Sequence, residues 1–156
     1  MTQARMNDPE AIANFLLAGS AIFTLKSTHS GSRYTYKVSK AKPKKEGEDT
    51  SMWFVGLLTG PDNDADYTYL GIICPDRKGD GMHARTTANS KMKPDSPPVK
   101  AINWFVRQVT NEGNRLDQVE FYHAGRCGRC GRTLTTPESV ASGIGPVCAS
   151  KRHPWD

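Results

Sequence analysis

Hydrophobic residues change their spacing several times along the chain, and each change predicts an element. Ile12, Phe15 and Leu16 fall on one face of a helix over residues 11–18, with Asp8 as N-cap, Pro9 at the first helical position and Gly19 as the stop. Alternation of apolar and polar residues then takes over. Residues 22–26 and 33–38 each read as a strand, and Ser30-Gly31-Ser32 between them makes the pair a hairpin. Residues 40–49 form a charged loop. Residues 53–58 are apolar with little alternation, so they read as a more fully buried strand. A strong turn over residues 60–66 returns the chain into another strand, residues 67–74. Residues 76–95 are polar, with a short edge strand within 82–87. After Pro97-Pro98, the residues Val99, Ile102, Phe105, Val106 and Val109 recur at helical spacing, and Gly113 follows. Residues 119–122 alternate once more as a last strand.

These elements add up to an α+β fold: an antiparallel sheet with one or two packed helices and a metal knuckle (treble-clef-like) at its C-terminal end. Residues 1–120 make the α+β body, and residues 121–156 make a zinc-binding module packed on it. The 156 residues, 37% of them hydrophobic, suit one modest domain with a small appendage.

The last part of the chain carries its strongest chemistry: His123-x3-Cys127-x2-Cys130-x17-Cys148. Tetrahedral zinc takes four nitrogen or sulfur ligands, and a Cys-x-x-Cys turn supplies two of them from one knuckle. Gly128 and Gly131 let that turn close tightly. Thr135 and Glu138 fit a capping box for a short helix over about residues 136–142, and Gly143-Ile144-Gly145-Pro146 bends the chain back to Cys148. His123 is the preferred fourth ligand and His153 the alternative. Three thiolates make a zinc ion electron-rich and a poor Lewis acid, so the expected role is structural. The deaminase arrangement needs His-x-Glu, whereas Ala124 and Gly125 follow His123.

Met1 to Arg5 lacks the apolar core of a secretory signal, and no apolar run approaches membrane-spanning length. The expected compartment is the cytoplasm, where paired cysteines hold metal more often than they form disulfides. Cys74, in an apolar strand, reads as a buried, inert thiol, and neither His29 nor His83 has a metal-spaced partner. No phosphate-cradling Gly-Lys-Ser/Thr, nucleophile elbow or His-Glu-x-x-His occurs, so the chain is not expected to be an enzyme.

The net charge of +5 is a mild basic excess that permits nucleic-acid binding without requiring it. Between Lys26 and Lys45 lie seven basic residues and no acid, among them Lys37, Lys40 and Lys42. On a strand, Arg33, Thr35 and Lys37 share one face, and Tyr34, Tyr36 and Val38 the other. Charges and rings then point oppositely, which also suits a solvated strand with tyrosines in the core. Arg126, Arg129 and Arg132 recur around the knuckle, where they could meet phosphates, cap the thiolates or contact an acidic protein. Asp62 to Asp66 echoes a calcium loop but lacks its glycine and its closing glutamate, so a polar turn is expected.

The stretch Cys127-Gly-Arg-Cys130-Gly-Arg-x-Leu134-Thr135-x-Pro137-Glu138-Ser139, with Gly143-Ile144-Gly145-Pro146-Val147-Cys148, resembles a zinc-finger-like domain of unknown function found in phage and prophage proteins. Phe54 to Asn63 and Asp66 to Gly71 are similar to the body of small phage proteins that end in this module. The resemblance implies a phage origin, a host-cytoplasmic location and added weight for His123 as a ligand. The expected function is a non-catalytic, zinc-binding accessory protein for nucleic acid, single-stranded DNA or RNA. Its contacts would come from Arg126, Arg129, Arg132, Lys37, Lys40 and Lys42. The alternative is a protein-interaction module that inhibits or redirects a host factor such as a defence nuclease or polymerase.

Overall fold

Period-two alternation gives the sheet its two faces. The computed structural model describes residues 4–6, 8–41, 52–60, 66–75, 81–110 and 118–123. Their elements run β1 (Ala4–Met6), α1 (Pro9–Leu16), β2 (Ser20–Ser27), β3 (Arg33–Lys40), β4 (Trp53–Leu58), β5 (Tyr67–Pro75), β6 (Met82–Arg85), α2 (Pro97–Thr110) and β7 (Val119–His123). The strands form one sheet in the order β1-β7-β2-β3-β4-β5-β6, and every neighbouring pair is antiparallel. The class is α+β, with two helices among the described residues. Of the zinc-binding module expected over residues 121–156, all but residues 121–123 lies outside the described residues.

β2 to β6 follow one another as a meander, and β7 returns beside β2. The β2–β3 hairpin keeps an unbroken register from Ser20↔Ser39 to Lys26↔Arg33. Its turn places Gly31 at φ +74°, a conformation that favours glycine. β1 is a strand that three residues of unremarkable sequence do not announce. Among the described strands it pairs with β7 alone, as Ala4↔His123 through Met6↔Phe121.

Both helices cover the same face of the sheet. Phe121 of β7 is the hub of the core. Phe15 of α1 meets it edge-on at 5.9 Å, Phe105 of α2 stacks on it at 5.4 Å, and Phe23 of β2 stacks at 5.0 Å. Such pairs contribute about 0.5–1.5 kcal/mol each beyond their buried area. The apolar stripes expected of the helices are buried: Ile12, Phe15 and Leu16 in α1, and Val99, Ile102, Phe105, Val106 and Val109 in α2. Asp8 occupies the N-cap of α1, yet its side chain makes no capping bond; its carbonyl accepts the Ile12 N–H at 2.9 Å. The buried Tyr36 hydroxyl donates to the Pro98 carbonyl at 2.7 Å and ties β3 to the start of α2. The Trp53 indole N–H donates to the Leu17 carbonyl and ties β4 to the end of α1.

α2 also closes the outer edge of the sheet. Edge strands present unpaired backbone groups. Here the Met82 N–H donates to Thr110 Oγ1 at 2.9 Å, and the Ala84 N–H donates to Asn103 Oδ1 at 3.1 Å.

Candidate functional site

The face of the sheet turned away from the helices collects the chemistry. In β3, Tyr34, Tyr36 and Val38 point into the core side, while Arg33, Thr35 and Lys37 point to the open side, as alternation predicts. Lys26, opposite Arg33, and Lys37, opposite Gly56, extend this open face across three strands.

The aromatic groups of this face come from β4 and β5. Residues 53–58 are not the fully buried strand expected from their composition. Phe54 is 43% exposed and stands on the open face, while its neighbours Trp53 and Val55 are buried on the other. In β5, simple alternation would align Tyr67 and Tyr69 with Gly71 and Ile73, on the core side. The register shifts between Val55 and Gly56, so that Val55 faces Gly71 but Gly56 faces Tyr69. Leu70 is the extra residue of this bulge and is fully buried. The shift turns Tyr67 and Tyr69 to the open face, where Tyr69 meets Phe54 ring to ring at 6.3 Å. Gly71 permits the close approach: a Cβ there would lie 2.1 Å from the Arg85 carbonyl oxygen. A glycine inside a strand pattern is the sequence feature that marks such a bulge.

The result is a shallow depression of about 250 Å³ lined by Lys37, Ser39, Phe54, Gly56, Tyr67 and Tyr69. Gly56 contributes no side chain, so it forms the floor. The Lys37 ammonium lies 5.9 Å from the Tyr67 ring centroid, within cation–π range. The Tyr69 hydroxyl shares a hydrogen bond with Thr87 Oγ1 at 3.0 Å, which fixes the ring. Across the sheet, Thr24 and Thr35 hydroxyls pair at 2.7 Å, and the Tyr122 hydroxyl donates to the Glu120 carboxylate. The arrangement combines a cation, flat apolar faces and hydrogen-bonded hydroxyls on one side of the sheet.

Lys40 falls in the other row of β3. It is opposite Trp53, and its ammonium lies 5.7 Å from the Trp53 ring. Lys37 and Lys40 therefore belong to opposite faces. Lys42, Arg126, Arg129 and Arg132 lie outside the described residues. So do Cys127, Cys130, Cys148, His153 and most of the acidic turn, of which Asp66 is described. His123 ends β7 on the helix-covered face, fully buried, with its ring 5.4 Å from that of Phe15. Among the described residues no group of three or more His, Cys, Asp or Glu side chains could hold a metal ion.

Cys74 differs from its expected role. It is half-buried on the open face, opposite His83 in the β5–β6 ladder, with its Sγ 3.4 Å from His83 Nε2. Sequence distance hid this partnership, because the pairing is set by a strand register.

Residues 117–153 match a protein family of unknown function, DUF6011. The match takes in β7 and the whole His/Cys constellation. No curated protein and no solved structure matches the chain. Among the described residues no helix is long and apolar enough to cross a membrane.

Proposed function

We propose that the open face of the sheet binds single-stranded nucleic acid without catalysis. One observation carries the reading: Lys37 and the rings of Phe54, Tyr67 and Tyr69 surround a single depression floored by Gly56. Single strands bind where aromatic faces stack on bases and cations track the phosphates, and every base offers such a face. Arg33, on the same strand as Lys37, and Lys26, opposite Arg33 on β2, continue the positive charge of this face. The sequence +5 excess acts in the same direction by steering a polyanion toward the surface. In this proposal the C-terminal module is a zinc staple held by His123, Cys127, Cys130 and Cys148. Its arginines Arg126, Arg129 and Arg132 would add phosphate contacts, and the protein would act in a phage-infected cytoplasm.

Anisotropy titrations of labelled single- and double-stranded oligonucleotides at several salt concentrations test the reading. Binding should favour single strands and weaken with salt. Phe54→Ala and Tyr69→Ala should each weaken it by about 1–3 kcal/mol. Lys37→Ala should weaken it on all sequences and reduce the salt slope by about one. Absence of binding to any oligonucleotide at low salt would sink the proposal.

A further inference from the structure

A second cavity, of about 380 Å³, opens on the helix-covered side of the sheet. It lies between the β2–β3 turn, the first turns of α2 and the start of β7, and it shares no lining residue with the depression around Lys37. Its size falls in the range of small-molecule sites. Two half-buried aromatic residues line it, Tyr34 of β3 and Trp104 of α2, together with Leu25, Ala101 and Val119. These give flat and apolar walls.

The polar groups are of a different kind. Lys100 and His29 are exposed at the lining, and among the described residues no carboxylate lines the cavity. The turn that carries His29 is pre-ordered: Ser27 Oγ accepts the N–H groups of His29 and Ser30, and the Ser30 hydroxyl donates to Ser32 Oγ. Aromatic walls select a flat ring. A lysine and an imidazole, with no carboxylate among the described lining residues, select negative charge.

We propose that this cavity binds a small flat aromatic anion, its ring against Tyr34 and Trp104 and its phosphate or carboxylate at Lys100 and His29. The site is independent of the nucleic-acid reading, because it lies on the opposite face and uses other residues. Two sources share this chemistry, nucleoside monophosphates and aromatic carboxylates.

The test is a titration of the full-length protein followed by the indole N–H resonances of its tryptophans. Adenosine monophosphate, uridine monophosphate and indole acetate are the test ligands; adenosine and inorganic phosphate are the controls. A saturable shift of the Trp104 resonance by an aromatic anion supports the site, and preference for phosphate or carboxylate names the source. Lys100→Glu, at an exposed position, should weaken binding roughly tenfold or more, the scale of one lost charge-assisted bond. Trp104→Leu should abolish it. Phe54→Ala should leave it unchanged, whatever that variant does to oligonucleotides. Equal affinity for adenosine, indifference to Lys100→Glu, or no shift of Trp104 with any anion would each overturn the proposal.

Discussion

Tyr36 concentrates several demands in one side chain. Its ring packs against Phe23 at 5.7 Å, and its hydroxyl reaches the Pro98 carbonyl. Burial, with a smaller contribution from neighbouring Tyr34, raises its phenol far above the ordinary value near 10. The folded protein therefore keeps this proton where the unfolded chain loses it. Stability from this group is complete below about pH 10 and falls as pH rises further, by up to about 1.4 kcal/mol per pH unit. Tyr36→Phe should cost about 1 kcal/mol at neutral pH through the lost hydrogen bond. It should also remove part of the alkaline loss. Urea unfolding from neutral to alkaline pH measures both effects. Cys74 and His83 show the limit of residue-level reading. Each looks solitary in the sequence, and each acquires the other only through the β5–β6 register.

Among the elements, β5 decides what the open face presents. Its bulge turns the half-buried Tyr67 and Tyr69 to the face away from the helices while Leu70 and Ile73 stay in the core. The bulge depends on Gly71, whose missing Cβ leaves space for the Arg85 carbonyl. Gly71→Ala should therefore destabilise the protein by roughly 2–4 kcal/mol through overpacking and a broken β5–β6 pairing. Denaturant midpoints measure that loss. α2 offers a milder test. Asn103→Ala removes the acceptor of the Ala84 N–H and should cost about 1 kcal/mol. Hydrogen exchange at Ala84 should accelerate before that of the central strands. The helices were legible because Phe15 and the five buried residues of α2 repeat at helical spacing. The β2–β3 hairpin was legible because its alternation is unbroken. The bulge was not, because a period-two reading of Tyr67 to Cys74 assumes an intact register; only Gly71 hints otherwise.

At the scale of the molecule, β7 is the strand that completes the sheet. Local pattern identifies β7 as a strand but does not say where it inserts. Its position between β1 and β2 depends on contacts such as Phe121 with Phe23, nearly a hundred residues apart in the chain. The His123, Cys127, Cys130 and Cys148 spacing is a sequence pattern alone, since its three cysteines lie outside the described residues. If zinc is the staple proposed above, Cys148→Ser should lose the bound metal and unfold the C-terminal module, since structural zinc contributes on the order of 10 kcal/mol. Metal analysis and limited proteolysis read out the two losses.

The order β1-β7-β2 also has a consequence for synthesis on the ribosome. Among the described strands, the one made last fills an interior place in the sheet, and the one made first pairs with no other. Until residues 119–123 emerge, β2 carries a bare edge, Phe23 and Phe105 lack their central ring, and β1 has nowhere to dock. A nascent chain stalled before β7 thus presents an open strand edge beside an unfinished aromatic core, the combination that favours pairing with a neighbouring chain. The arrival of one five-residue strand closes the edge, completes the core and captures β1 in a single event.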